Sequence, residues 1–119
     1  MKYEKGGAGW NKQRASSFAD RIGEIMRISK IIIQNKGEES VFALSEYLID
    51  YFNLRFEKEL KERFNYFLEQ RISNKIDREE LQKNLDNPRS SGGLGLYKNT
   101  AERISREVEI IMLAKYSIS

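Results

Sequence analysis

Histidine and cysteine are absent from this 119-residue chain, and proline occurs once, at Pro88. Without cysteine there is no disulfide framework, no thiolate metal site and no thiol redox centre, a composition that suits a cytoplasmic protein. Without histidine the commonest general acid or base and the commonest zinc ligand are gone. The catalytic triads and the histidine-dependent nucleases and phosphohydrolases go with them. No apolar run approaches the ~20 residues of a membrane-spanning helix, and Met1 to Lys5 lead into glycines instead of a signal-peptide core, so no membrane is expected among the partners. Acidic residues never fall at metal-ligand spacing. Glu38 with Glu39 and Glu79 with Glu80 are sequence neighbours, which a helix turns apart by about 100°, and Asp20 with Glu24 has no third ligand. Ser90 and Ser91 have no base to activate them. The chain therefore reads as non-enzymatic, with no metal and no cofactor.

What is present is helical. Leu44, Leu48, Phe52, Phe56, Leu60, Phe64, Leu68 and Ile72 recur every fourth residue through Val41 to Ile72, a stretch with neither Gly nor Pro. That spacing fits a helix and not a strand. Each step of four drifts by about 40° on a straight helix, so the apolar stripe winds. Its first half, around Leu44, Leu48, Tyr51 and Phe52, faces away from its second, around Phe56, Leu60, Phe64 and Phe67. Either the helix bends near Asn53 to Arg55, or its halves dock on different neighbours, one of which can be a second copy of the chain or another protein.

The remaining elements follow from local signals. A first helix is predicted from about Ser17 to Asn35, with a core face of Phe18, Ile22, Ile25, Met26, Ser29, Ile32 and Ile33 and with Gly37 as its stop. The β-branched run Ile28 to Ile33 leaves a strand open as the alternative there. Asp77 with Glu80 forms a capping box, flanked by the staple pair Ile76 and Leu81, and Pro88 ends that short helix by Asp86. Asn87 to Asn99 is a loop. The last helix starts at Asn99 or Thr100, runs to about Tyr116 and turns Ala101, Ile104, Val108, Ile111, Met112 and Lys115 inward. The expected fold is all-α: a four-helix, bundle-like domain over 15–119 with one long central helix, preceded by a flexible, Gly-rich basic arm over 1–14. A ribbon-helix-helix arrangement is disfavoured, because a glycine arm stands where its basic strand should be.

Net charge is +3, with an isoelectric point near 9.1, which is informative only where it is local. In the arm, Lys2, Lys5, Lys12 and Arg14 surround Trp10, the only tryptophan. Such a segment can meet phosphates and base faces together, or it can fold back on the helices by its indole. A related pattern, two glycines, a gap, a third glycine, an aromatic residue and a lysine, recurs at Gly92 to Lys98. There glycine N–H groups, a helix N-terminus and Lys98 could hold a phosphate, with Arg89, Tyr97 and Arg103 nearby; a plain connector rich in turn residues is the other reading. The expected function is non-catalytic nucleic-acid binding, to RNA or DNA through the backbone, or a small-subunit role in a nucleoprotein assembly, by the arm and the 87–99 loop. Four neutralised phosphates would give log K against log salt a slope of about −3 to −4. The alternative is a helical protein–protein adaptor or oligomerising regulator, using the Phe56, Leu60, Phe64 and Phe67 face.

Overall fold

The computed structural model describes residues 17–34 and 37–118, with side chains from 20 to 34 and from 37 to 114. Residues 1–16, the whole expected arm, lie outside it. The described residues form five α-helices and no strand: α1 (Ser17–Ile33), α2 (Glu38–Tyr51), α3 (Lys58–Ile72), α4 (Arg78–Asp86) and α5 (Lys98–Ile118), with a single 3-10 turn at Arg89–Ser91. Ile28 to Ile33 is helical, which removes the strand alternative.

The long central helix is not formed; Val41 to Ile72 is two helices. The break sits where the winding stripe demands a change of direction. Asn53 takes a left-handed φ of 54°, its N–H donates to Asp50 O, and Leu54 N–H donates to Ile49 O. These are the paired bonds of a Schellman motif, with Leu54 packed against the core behind it. The same motif closes α3, where Asn74 at φ 62° donates to Arg71 O and Lys75 N–H to Gln70 O. Asparagine, which tolerates this conformation better than other residues with a Cβ, stands in both places where glycine is usual. The split turns the expected four helices into five.

Each helix packs on its neighbours in sequence, and α5 returns onto α1, so the five form a closed circuit with α5 held between α1 and α4. The second half of the stripe meets its partner within the same chain. Phe64 is fully buried, Leu60 and Phe67 nearly so, and the Phe56 ring lies 5.2 Å from that of Phe64. The face expected to hold a second copy or a partner is therefore core. On α5, Ala101, Ile104, Val108 and Ile111 have no exposure at all, as their period predicts.

Local signals read correctly at α4. Asp77 Oδ1 accepts from Glu80 N–H at 2.9 Å, and Asp77 N–H donates to Glu80 Oε1 at 3.3 Å, while Leu81 is buried and Ile76 half-buried against the core. Asn87 is extended ahead of Pro88 and stops the helix. α5 begins at Lys98, ahead of the expected Asn99 or Thr100; Tyr97 O accepts from Ala101 N–H, so Tyr97 occupies the capping position.

Two ionic clusters tie α5 to the circuit. Buried Glu107 accepts from Arg21 Nε at 3.2 Å, from Arg21 Nη2 at 2.5 Å and from the Tyr47 hydroxyl at 2.5 Å. The Arg21 guanidinium also lies 5.1 Å from the Tyr51 ring, which stacks on Tyr47. On the other side, Arg71 makes a two-pronged pair with Glu109 at 2.8 and 3.0 Å, and its remaining nitrogen reaches Asn74 Oδ1 and Ile76 O.

Candidate functional site

The loop expected to cradle phosphate is ordered from within. Gly93 N–H donates to Pro88 O, Leu94 N–H to Asn84 O, Gly95 N–H to Asn87 O and Leu96 N–H to Leu85 O. The backbone donors that glycines were expected to turn toward a ligand are thus used by the chain's own carbonyls. Gly93 is required by contact, because a Cβ there would lie 2.2 Å from Asn87 O, and Gly92 sits at φ 91°. Leu94, in the middle of the loop, is fully buried. Arg63 clamps the turn from α3, donating through Nη1 to Gly93 O at 2.6 Å and to Arg89 O at 3.2 Å.

The side chains named from sequence divide accordingly. Arg89 bends back so that its Nε donates to Leu94 O at 3.3 Å, and Arg103 rests over the Phe52 ring at 5.6 Å. Tyr97 is 85% exposed, and Lys98 beside it is exposed at the start of α5. Lys2, Lys5, Trp10, Lys12 and Arg14 lie outside the described residues. All four described ones are exposed; Arg89 and Arg103 each make a contact within the chain, while Tyr97 and Lys98 stand side by side at the start of α5.

A different region carries a concave surface. The end of α1, the start of α2 and the length of α3 enclose an open groove of 1330 Å³. Its lining includes the apolar side chains of Ile32, Ile33, Val41, Phe42, Tyr66 and Ile72 and the carboxylates of Glu38, Glu39, Glu62 and Glu69. No Lys or Arg is among the described residues that line it. Phe42 is 61% and Tyr66 56% exposed, an unusual position for two large rings on adjacent helices. Asn65, also in the lining, holds Oδ1 shut off from solvent without a hydrogen-bond partner among the described residues.

Sequence reading missed this groove for a definable reason. Val41 and Tyr66 belong to the same helical stretch by period, and only the break at Asn53 folds α3 back so that Phe42 and Tyr66 border one concavity. The sequence signal that could have found it is the off-stripe aromatics: Phe42 and Tyr66 lie off the spacing-of-four series that fills the core.

Among the described residues no three acidic side chains gather as a metal site, and no helix is long and apolar enough to cross a membrane. The Arg21, Tyr47 and Glu107 cluster is held by mutual pairing. Burial, aided by the bond to Glu107, pushes the Tyr47 phenol above its ordinary range, so it keeps its proton and acts as a donor. The hydrogen bond with Glu107 likewise raises the Arg21 guanidinium. These groups pin α1, α2 and α5 together. No protein family, no characterised protein and no solved structure matches this chain.

Proposed function

We propose that this is a non-catalytic helical adaptor that binds another protein in the groove between α1, α2 and α3. The observation that carries the reading is a pair of largely exposed aromatic rings, Phe42 and Tyr66, set in a concave lining of apolar side chains and glutamates. Solvent-facing aromatics in a depression are the usual anchors of protein interfaces, where a few such side chains account for most of the affinity. A groove of 1330 Å³ that is open to solvent exceeds the space a typical small ligand fills, and it suits a helix or an extended segment.

The test is site-specific photo-cross-linking from position 66 in the source cells, with position 78 on α4 as the control, followed by binding of the purified adduct partner. A defined adduct from 66 alone is expected, with binding weakened at least ~10-fold by the double change Phe42→Ser, Tyr66→Ser at unchanged thermal stability. Binding that ignores the double change would overturn the reading.

Nucleic-acid binding is the second reading, favoured by where the charge lies. The first 16 residues contain Lys2, Lys5, Lys12 and Arg14 against one Glu4, which is the entire net charge of +3; residues 17–119 are balanced. With the N–H groups of Ser91 to Leu96 already used, the arm with Trp10 carries this reading, and Tyr97 with Lys98 at the start of α5 adds one exposed contact point. A salt titration on single- and double-stranded oligonucleotides, with and without residues 1–14, tests it: removal of the arm should abolish binding, and unchanged binding would move the contact to Tyr97 and Lys98.

A further inference from the structure

The groove and the arm are complementary in charge and in kind. Four glutamates line the groove, in a domain whose charges sum to zero only with them included, and no cation stands among its described lining residues. Glu62 and Glu69, both exposed on α3, make no ion pair with any described residue. The arm holds all of the chain's excess positive charge and its only Trp. We propose that the arm of the same chain, residues 1–16, occupies the groove, with Trp10 against Phe42 and Tyr66 and its cations along Glu62 and Glu69. This rests on the groove being a docking surface, and it makes the arm the built-in competitor of the partner protein. The partner must then displace the arm, and the arm sets a threshold of affinity for anything that enters.

The length of the arm permits it. α1 has 17 residues, which a helical rise makes about 25 Å long. Ile32 and Ile33, at its far end, already belong to the groove. Sixteen extended residues span about 50 Å, and Trp10, seven residues ahead of Ser17, reaches about 25 Å. That is the upper limit of the reach and matches the length of α1, so full extension of the arm is what the proposal requires to bring the indole to the near part of the groove. An indole suits a concave site between two aromatic rings, where its apolar body is covered and its N–H can find an acceptor.

Trp10 is a built-in reporter, because the fluorescence of the full chain comes from it without interference from another tryptophan. The expected result in the intact protein is a blue-shifted emission and acrylamide quenching several-fold weaker than for a free tryptophan amide. Phe42→Ser with Tyr66→Ser should shift the emission to that of a solvated indole, and Glu62→Lys with Glu69→Lys should do the same, each with unchanged far-UV circular dichroism. High salt should reproduce part of the shift in the wild type. Emission of a solvated indole in the wild type, or emission that neither double variant changes, would overturn the proposal. So would a shift caused by Leu113→Ser instead, which would place the arm on the exposed side of α5. Protection that rises with protein concentration would assign the occupant to a second copy and overturn the same-chain assignment. Should Trp10 prove unprotected while the cross-linked partner still depends on Phe42 and Tyr66, the arm proposal fails and the adaptor reading stands; dependence lost for both removes the groove altogether.

Discussion

Residues 87–97 and the groove between α1, α2 and α3 dispose of their surfaces in opposite ways. In the loop, polar groups face inward: four consecutive N–H groups from Gly93 to Leu96 end on carbonyls of residues 84–88, and Arg63 occupies two more carbonyls. In the groove, apolar groups face outward, with Phe42 and Tyr66 more than half exposed. A glycine-rich loop is thus folded on itself around buried Gly93 and Leu94, whereas a stretch of ordinary amphipathic helix carries the surface without an evident internal purpose. Composition suggests the reverse assignment. The reason is that glycine permits two different outcomes, close approach to a ligand or close approach of the chain to itself, and the 2.2 Å separation a Cβ at Gly93 would have from Asn87 O shows which one is used here.

The sharpest way to break this contrast is at Leu94. Leu94→Ala should cost about 3 kcal/mol in chemical denaturation, since the side chain is fully buried and the loop is too constrained to collapse around the space. A loss below about 1 kcal/mol, as for surface changes, would return the loop to the class of free connectors.

A comparable loss, about 2–3 kcal/mol, is expected from Glu107→Gln, which leaves Arg21 and Tyr47 facing a neutral amide. Because Arg21 is partly exposed and can recover water, the lower end of that range applies. The same cluster sets a pH dependence. The folded state holds the Tyr47 proton more tightly than the unfolded chain, so the associated stability is complete below about pH 10 and falls as pH rises beyond it. Tyr47→Phe should remove this alkaline decline, as read from thermal midpoints between neutral pH and about pH 11.

Arg63→Ala should cost about 1–2 kcal/mol by leaving the Gly93 carbonyl without its donor and Arg89 O with the Gly92 N–H alone. Its signature is local, with amide exchange at Gly93 and Gly95 accelerating more than exchange in α5. Uniform acceleration would mean that the loop has no order of its own.

The smallest effect belongs to the groove. Phe42→Ser and Tyr66→Ser should each change stability by no more than about 0.5 kcal/mol, while removing partner binding. A large destabilisation by either would show that these rings hold the fold and would erase the contrast with the loop.

Much of this architecture was legible in residue order. α4 is marked at both ends, by Asp77 with Glu80 and by Pro88, because capping and the restriction before proline act between residues a turn apart. The inward edge of α5 follows from its period alone. The drift of the stripe in Val41 to Ile72 pointed to a change of direction near Asn53, although the change came as a full stop and a second helix, since an asparagine was read as a helix residue where it serves as a left-handed cap. At the candidate sites less was legible. Tyr97, Lys98, Arg89 and Arg103 are all exposed, but the contacts of Arg89 with Leu94 O and of Arg103 with the Phe52 ring depend on how the loop and α2 fold and were not readable from residue order.

The sequence by itself determined that the chain is helical, where α4 begins and ends, and which edge of α5 is apolar, because those depend on hydrogen bonds and side-chain spacing within a few residues. Tertiary structure alone decided three things: that Arg21 meets Glu107 across 86 positions, that Phe64 and Phe67 are covered by this chain, and that Phe42 and Tyr66 are not. Helical period ranks faces by polarity and says nothing of what arrives to cover them. That is settled only when the circuit of five helices closes and leaves Phe42 and Tyr66 uncovered.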